Sequence, residues 1–330
     1  MKARDGEAMM EMMRGYQVPC LLAAAVDLEL FEKLAPTPMT AEEVAAAADC
    51  DLRGVTILLD ALAAIRVIVK NDETYAIPRE LAPFLRETSP QSVLAMLRHQ
   101  ANCLRNWSRL PWTVRSGKPD RPGPSIRGEE ADRISFIQAM HVASRGVADE
   151  LIQEINPGDV RVVLDLGGAS GSWTTAWLKA APQARAVIFD LPHVIPMARE
   201  SLASSPFAGR IELCAGDYNT DELPKGADLA WVSAIIHQNS PDQNRALYRR
   251  IAAALAPKGR IYIRDIFMEP SRTAPVSGAL FAVNMLSATE AGNSYRFTEV
   301  EEDLRSAGFG EVELFRRHEG MLSIVRARVK

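Results

Sequence analysis

Val162-Val163-Leu164-Asp165-Leu166-Gly167-Gly168-Ala169-Ser170-Gly171 is an apolar run that ends in an acid and then a glycine-rich turn. A short continuous apolar run reads as a strand buried on both faces. Glycines just past its end let the backbone take positive φ and approach a ligand closely. The following Ser172-Trp173-Thr174-Thr175-Ala176-Trp177-Leu178 reads as a helix whose N-terminus faces that ligand. Downstream, apolar strand candidates at 186–190, 210–214, 229–232 and 260–266 alternate with helical stretches, and two more at 311–315 and 322–327 close the chain. That alternation predicts an α/β domain over 156–330: a doubly wound, mostly parallel sheet with a terminal antiparallel hairpin.

Upstream the pattern changes. Residues 1–110 are rich in Ala and Leu at helical spacing. Thr40 and Glu43 have capping-box spacing ahead of a helix at 42–48, and Asp51 opens the next one. An alternating stretch at 67–77 with its turn at Asn71-Asp72 reads as a hairpin, so the domain is winged-helix-like. Residues 111–155 are read as a linker, dense in Pro, Gly and charge over 115–133, followed by a bridging helix over 134–155.

Composition narrows the partners. The 330 residues carry a formal charge of −4, without the basic surplus that would hold a phosphate backbone or an anionic membrane. The candidate recognition helix offers only Arg53 and Arg66 against Asp51 and Asp60, which argues against a DNA-binding regulator. Cys20, Cys50, Cys103 and Cys214 are scattered without a CxxC pair, so neither a zinc site nor a disulfide framework is expected. The apolar stretch 18–31 is broken by Asp27 and Glu29, and residues 1–15 are charged and methionine-rich with no signal-peptide core. The expectation is a cytoplasmic protein with no metal, nucleic acid or membrane partner.

The glycine spacing bears on the nucleotide. A dinucleotide pocket needs G-x-G-x-x-G so that a pyrophosphate can rest on the helix N-terminus. Gly167-Gly168-x-x-Gly171 fits that poorly. S-adenosylmethionine has no phosphate and needs acids instead. Asp165 suits an ammonium, Asp190 at the end of 186–190 suits a ribose diol, and Asp217 after 210–214 suits the adenine amino group.

These segments resemble the small-molecule O-methyltransferases of the acetylserotonin and caffeic acid type. Asp165–Gly171 is similar to that family's D-x-G-G-G-x-G, Phe189-Asp190-Leu191-Pro192-His193-Val194 to its F-D-L-P-x-V, and Gly216-Asp217-Tyr218 to its G-D-M/F-F. The resemblance implies a homodimer formed through the N-terminal domain. It also implies a cofactor site of Asp165, Gly167, Gly168, Gly171, Asp190, Leu191, Asp217 and Tyr218, with Ser144 at the methionine end. Ser233, which stands where the family has a lysine, is counted among these cofactor-binding residues.

Methyl transfer to a hydroxyl needs a base, and His237, shortly after the strand candidate at 229–232, matches the family's catalytic histidine. The resemblance puts one assisting carboxylate on Asp265. The second falls near Arg296 or Phe297, leaving Glu290 as the substitute. Trp107, Phe136, Met140, His141, Phe281, Asn284 and Met285 are the candidates for an apolar acceptor slot. The expected activity is methylation of a hydroxyl on a small aromatic or polyketide-like molecule. A C-methyltransferase, a dinucleotide oxidoreductase and a ligand-sensing regulator stand as alternatives.

Overall fold

The computed structural model describes residues 5–330. These form two compact units. One comprises the chain up to Ser108 with Pro122–Val142; the other comprises Arg109–Arg121 with Ala143–Lys330. The chain therefore passes between units three times, where the sequence suggested a single linker between 110 and 156. The reason is local packing. The short helix Leu110–Ser116 packs on the helix Val276–Ala288, and Arg121 donates to the Ala288 carbonyl at 3.0 Å, so this stretch belongs with the second unit. Residues after it return to the first unit, where Arg127 lies 3.7 Å from Glu29 and Phe136 meets the His99 ring edge-on at 5.2 Å. The bridging helix is also two helices, Glu129–Arg145 and Ala148–Ile155. Gly146 and Val147 interrupt it, Val147 with φ −131°, and glycine is a poor residue for a helix interior.

The second unit holds a seven-stranded sheet. In chain order its strands are β1 (Val162–Leu166), β2 (Arg185–Asp190), β3 (Ile211–Ala215), β4 (Ala227–Ser233), β5 (Leu255–Asp265), β6 (Phe309–Arg316) and β7 (Ser323–Val329). Their spatial order is β6-β7-β5-β4-β1-β2-β3. The first five are mutually parallel, and β7 lies antiparallel between β5 and β6. This is the doubly wound sheet with a terminal hairpin that the sequence predicts. The winding reverses at β1, whose neighbours are β2 and β4, so the crevice beyond the C-terminal ends of β1 and β4 is the place for a ligand.

Alternation along each strand fills both faces. Leu164, Leu166, Ile261 and Ile263 pack with Tyr248, Ile251, Val300 and Leu304 of the helices Pro241–Ala254 and Phe297–Ser306. Val163, Leu229, Trp231 and Tyr262 pack on the other face against Trp173 and Trp177 of the helix Ser172–Ala180. The Trp231 ring lies 5.2 Å from Trp173 and 5.5 Å from Trp177. Each such buried aromatic stabilises the fold by roughly 1.5–3 kcal/mol.

The first unit is helical with a small sheet. Thr40 forms the expected capping box with Glu43 at the start of Ala41–Ala48, and Asp51 caps Leu52–Ala64 through the Gly54 N–H. The hairpin Val69–Asn71 with Thr74–Ala76 is joined by Met39–Thr40 as a third strand. Leu30, Phe31, Leu59, Leu62 and Tyr75 are its fully covered core.

Candidate active site

The glycine turn after β1 is a backbone device. Gly167 and Gly171 have φ +63° and +77°, and Ala169 between them has φ +45°, a left-handed conformation disfavoured for a residue with a Cβ. At Gly168 an added Cβ would lie 2.8 Å from Ile188 and 3.1 Å from the Asp165 carboxyl carbon. At Gly216, past β3, it would lie 2.4 Å from the Phe189 ring. The glycines thus let two turns settle onto the side chains of β1 and β2.

Asp190 ties the rim together. Its Oδ2 accepts from the Ala169 N–H at 2.8 Å and its Oδ1 from the Leu191 N–H at 2.7 Å. Burial raises its pKa, and the two N–H donors work against that rise. Each carboxylate oxygen retains a lone pair for a ligand hydroxyl. Asp217 Oδ1 accepts from the Asn219 N–H at 2.8 Å, which shapes the turn after β3. Tyr218 follows, its phenol pushed up to about 12 by burial and by Asp217 and Asp190.

Asp165 departs from expectation. Its side chain is 1 % exposed and accepts a hydrogen bond from the Thr174 hydroxyl, so it anchors the glycine turn to the next helix and presents almost nothing to a ligand. Burial pushes its pKa up to about 7. The signal for Thr174 was the helix phase, which brings a residue three past the Gly171 cap back over β1.

The other centre is His237, on a 3₁₀ turn at Ile236–Gln238 beyond β4. Its Nδ1 lies 2.9 Å and 3.0 Å from the two oxygens of Asp265, the last residue of β5. Asp265 is 1 % exposed, and its Oδ1 also accepts from the Ile266 N–H at 2.8 Å. A buried carboxylate on Nδ1 orients the ring and favours the tautomer with a bare Nε2. The Phe281 ring packs against the imidazole at 4.8 Å and 87°, fixing its plane from the other side. Phe281, Asn284 and Met285 share the helix Val276–Ala288, so these three acceptor-slot candidates lie on one element beside the histidine turn.

The turn itself is held by residues that sequence reading missed. Asn244 is buried in the helix Pro241–Ala254, where its Nδ2 donates to the Ile236 carbonyl at 2.9 Å and its Oδ1 accepts from Asn239 at 3.0 Å. Tyr295 Oη donates to the Asn239 carbonyl. Gly292 admits the His237 carbonyl, which would lie 2.4 Å from an added Cβ, and the Asn293 N–H donates to that carbonyl at 2.9 Å. An asparagine inside an amphipathic helix carries no local mark of such a role.

The second carboxylate is not assembled. Glu290 is exposed and makes no hydrogen bond among the described residues. Arg296 caps the helix Phe297–Ser306 and pairs with Glu299 at 3.0 Å. Ser233 Oγ is taken up by Arg264, whose Nε donates to it at 2.7 Å. Ser144 is buried at 4 % exposure in the same unit. Trp107, Phe136, Met140 and His141 belong to the helical unit. Trp107 ends the helix Leu94–Trp107, and the other three lie on Glu129–Arg145. Among the described residues no group of three His, Cys, Asp or Glu side chains is placed to hold a metal, and no helix is long and apolar enough to cross a membrane.

Residues 109–310 match the O-methyltransferase domain, and residues 10–82 match the O-methyltransferase dimerisation domain. The chain belongs to that family, and it is an O-methyltransferase. Among characterised relatives, the 3-hydroxy-5-methyl-1-naphthoate 3-O-methyltransferase of Streptomyces sahachiroi is 31% identical over 89% of this chain and 87% of its own. The tetracenomycin polyketide synthesis 8-O-methyltransferase TcmO of Streptomyces glaucescens is 31% identical over 88% and 87%. Among solved structures, human N-acetylserotonin methyltransferase in complex with SAM superposes with a TM-score of 0.82 at 24% identity, covering 100% of this chain and 99% of that one. PigF with SAH gives 0.87 at 24% identity, over 98% and 99%. The cofactor of the class is S-adenosylmethionine (SAM), with S-adenosylhomocysteine (SAH) as its product.

Proposed function

We propose that this chain methylates a hydroxyl group of a small aromatic or polyketide-like molecule, with His237 as the general base. The observation that carries the reading is the buried His237–Asp265 pair at the C-terminal rim of the sheet, its Nε2 without a hydrogen-bond partner among the described residues. The acceptor class is inferred from the two Streptomyces relatives, whose names specify a hydroxynaphthoate and a tetracenomycin polyketide.

The cradle fits the methyl donor. Gly167, Gly168 and Gly171 lay bare the backbone beyond β1, Asp190 offers lone pairs for the ribose diol, and Leu191, Asp217 and Tyr218 flank the base. Ser144 and Ser233 are assigned to the methionine end, Ser233 acting through Arg264. Asp165 acts by holding the turn. When bound, SAM supplies a methyl group activated by its sulfonium. Phe281, Asn284 and Met285 hold the acceptor against His237, and positioning alone contributes much of such a rate.

A phenol with a pKa near ~10 is mostly protonated at neutral pH. His237 Nε2 takes the hydroxyl proton as the oxygen attacks. Asp265 stabilises the imidazolium that results and keeps Nδ1 protonated. Such base assistance is worth about 10²- to 10⁴-fold.

The test is turnover on a panel of hydroxynaphthoates and polycyclic phenols, combined with calorimetric titration of SAH. His237→Ala should lose about 10²- to 10⁴-fold in kcat while binding SAH as before. Full activity in that variant removes the base role.

We also infer that the chain works as a homodimer. The helix Gly6–Arg14 buries no residue in its own chain and leaves Met9 and Met13 61% and 73% exposed, within or beside the matched dimerisation domain. Light scattering that finds a monomer at micromolar concentration overturns this.

A further inference from the structure

Arg264 is a cation without an ion-pair partner among the described residues; the Asp265 carboxylate, next in the chain and taken up by His237, acts on it only at longer range. It pairs in register with Ser233, the last residue of β4, one step past the level at which Val232 faces Leu166 of β1. It therefore stands level with the start of the glycine turn. Strand alternation puts its side chain on the same face as Tyr262, the face covered by Trp173. There the guanidinium lies over the Trp173 ring at 4.7 Å, its Nε donates to Ser233 Oγ at 2.7 Å and its Nη1 to the Met321 carbonyl at 2.6 Å. All of these partners are neutral. No carboxylate is within ion-pair distance of it among the described residues, and Nη2 makes no hydrogen bond among them. Burial lowers the pKa of Arg264 to about 10, which leaves it charged at neutral pH.

A guanidinium fixed by a hydroxyl, a carbonyl and an indole face is preorganised, with donors left over on one edge of a rigid fork. Arg264 is partly buried, and a charge held largely out of water in this way gains from an anion at its remaining donors. The site is at the crevice beyond β1 and β4, in a chain whose net charge is negative. The ligand group that suits it is a carboxylate. We propose that Arg264 is the counter-ion for the carboxylate at the methionyl end of the methyl donor, an assignment that rests on the SAM reading above. It brings a cation from β5 to a place where Ser233, the residue at the end of β4, has none. Ser233 and Trp173 are positioning residues for the guanidinium.

Calorimetric titration of the full chain with SAH and with 5′-methylthioadenosine tests this. The second ligand keeps the adenosine and the sulfur and lacks the carboxylate. Arg264→Met should weaken SAH by about 10- to 100-fold and leave 5′-methylthioadenosine within about twofold. Arg264→Lys should fall between, because it keeps the charge and loses the fork. It also carries the test if the Met variant does not fold. Equal weakening of both ligands, or unchanged SAH binding in a folded variant, overturns the assignment. So does a variant that binds SAH normally but has a raised KM only for acceptors bearing a carboxylate, since the anion is then the acceptor's. If the unsubstituted chain binds neither ligand, the methyl-donor reading fails and the assignment falls with it.

Discussion

The two ends of the crevice are built by different means. Around the glycine turn the backbone does the shaping: positive φ at Gly167, Ala169 and Gly171, and absent side chains at Gly168 and Gly216, let main-chain atoms approach what lies beneath. Around His237 the side chains do it: Asp265, Phe281, Asn244 and Tyr295 arrive from four separate elements to fix one ring and its turn. A backbone cradle is encoded in consecutive residues. A side-chain cluster needs the whole unit to fold first.

Substitutions at the two ends should therefore fail differently, and three of them test the contrast in order of their effect on turnover. Asp265→Asn removes the anion from His237 Nδ1 and lets the other tautomer compete. It should cost on the order of 10²-fold in kcat with SAH affinity unchanged, as read by steady-state kinetics beside calorimetry. Comparable loss of SAH binding would mean that the two ends are not independent.

Gly168→Ala attacks the cradle instead. A Cβ 2.8 Å from Ile188 and 3.1 Å from Asp165 has to push the turn outward, so stability should fall by about 1–3 kcal/mol and SAH affinity by about tenfold. Chemical denaturation and calorimetry measure the two. An unaltered SAH affinity would show that the turn does not touch the ligand.

Asp165→Asn should change turnover least and pH dependence most. The folded-state pKa is raised from 3.8 to about 7, so the folded protein holds this proton where the unfolded chain has released it. The contribution is fully present below the unfolded value and is lost as pH rises through about 7. Over that window wild-type stability should fall with pH by about 1 kcal/mol per unit on this account, and the Asn variant should lose that slope. Melting temperatures at pH 5 and pH 8 separate the two proteins, and parallel curves would show that Asp165 does not titrate there.

The same contrast explains what could be read from the chain alone. The strand-turn-helix at 162–178, the alternation that follows it, the capping box at Thr40 and the hairpin after Val69 are all local, because periodicity and turn chemistry act over a few residues. His237 and Asp265 are 28 residues apart in sequence, and only a family resemblance paired them in advance. That resemblance did not carry over to the second carboxylate: Glu290 is exposed, and Arg296 is spent on Glu299.

The sequence by itself determined the doubly wound sheet, the glycine turn and the acid at the end of β2, since each follows from residues in contact along the chain. Only the tertiary structure decided that Asp165 turns inward to Thr174, that Leu110–Ser116 belongs to the sheet unit, and that Arg264 stands level with the glycine turn without an ion-pair partner among the described residues. Those outcomes depend on which side chains meet across elements, and burial sets charge and partners only after packing is complete.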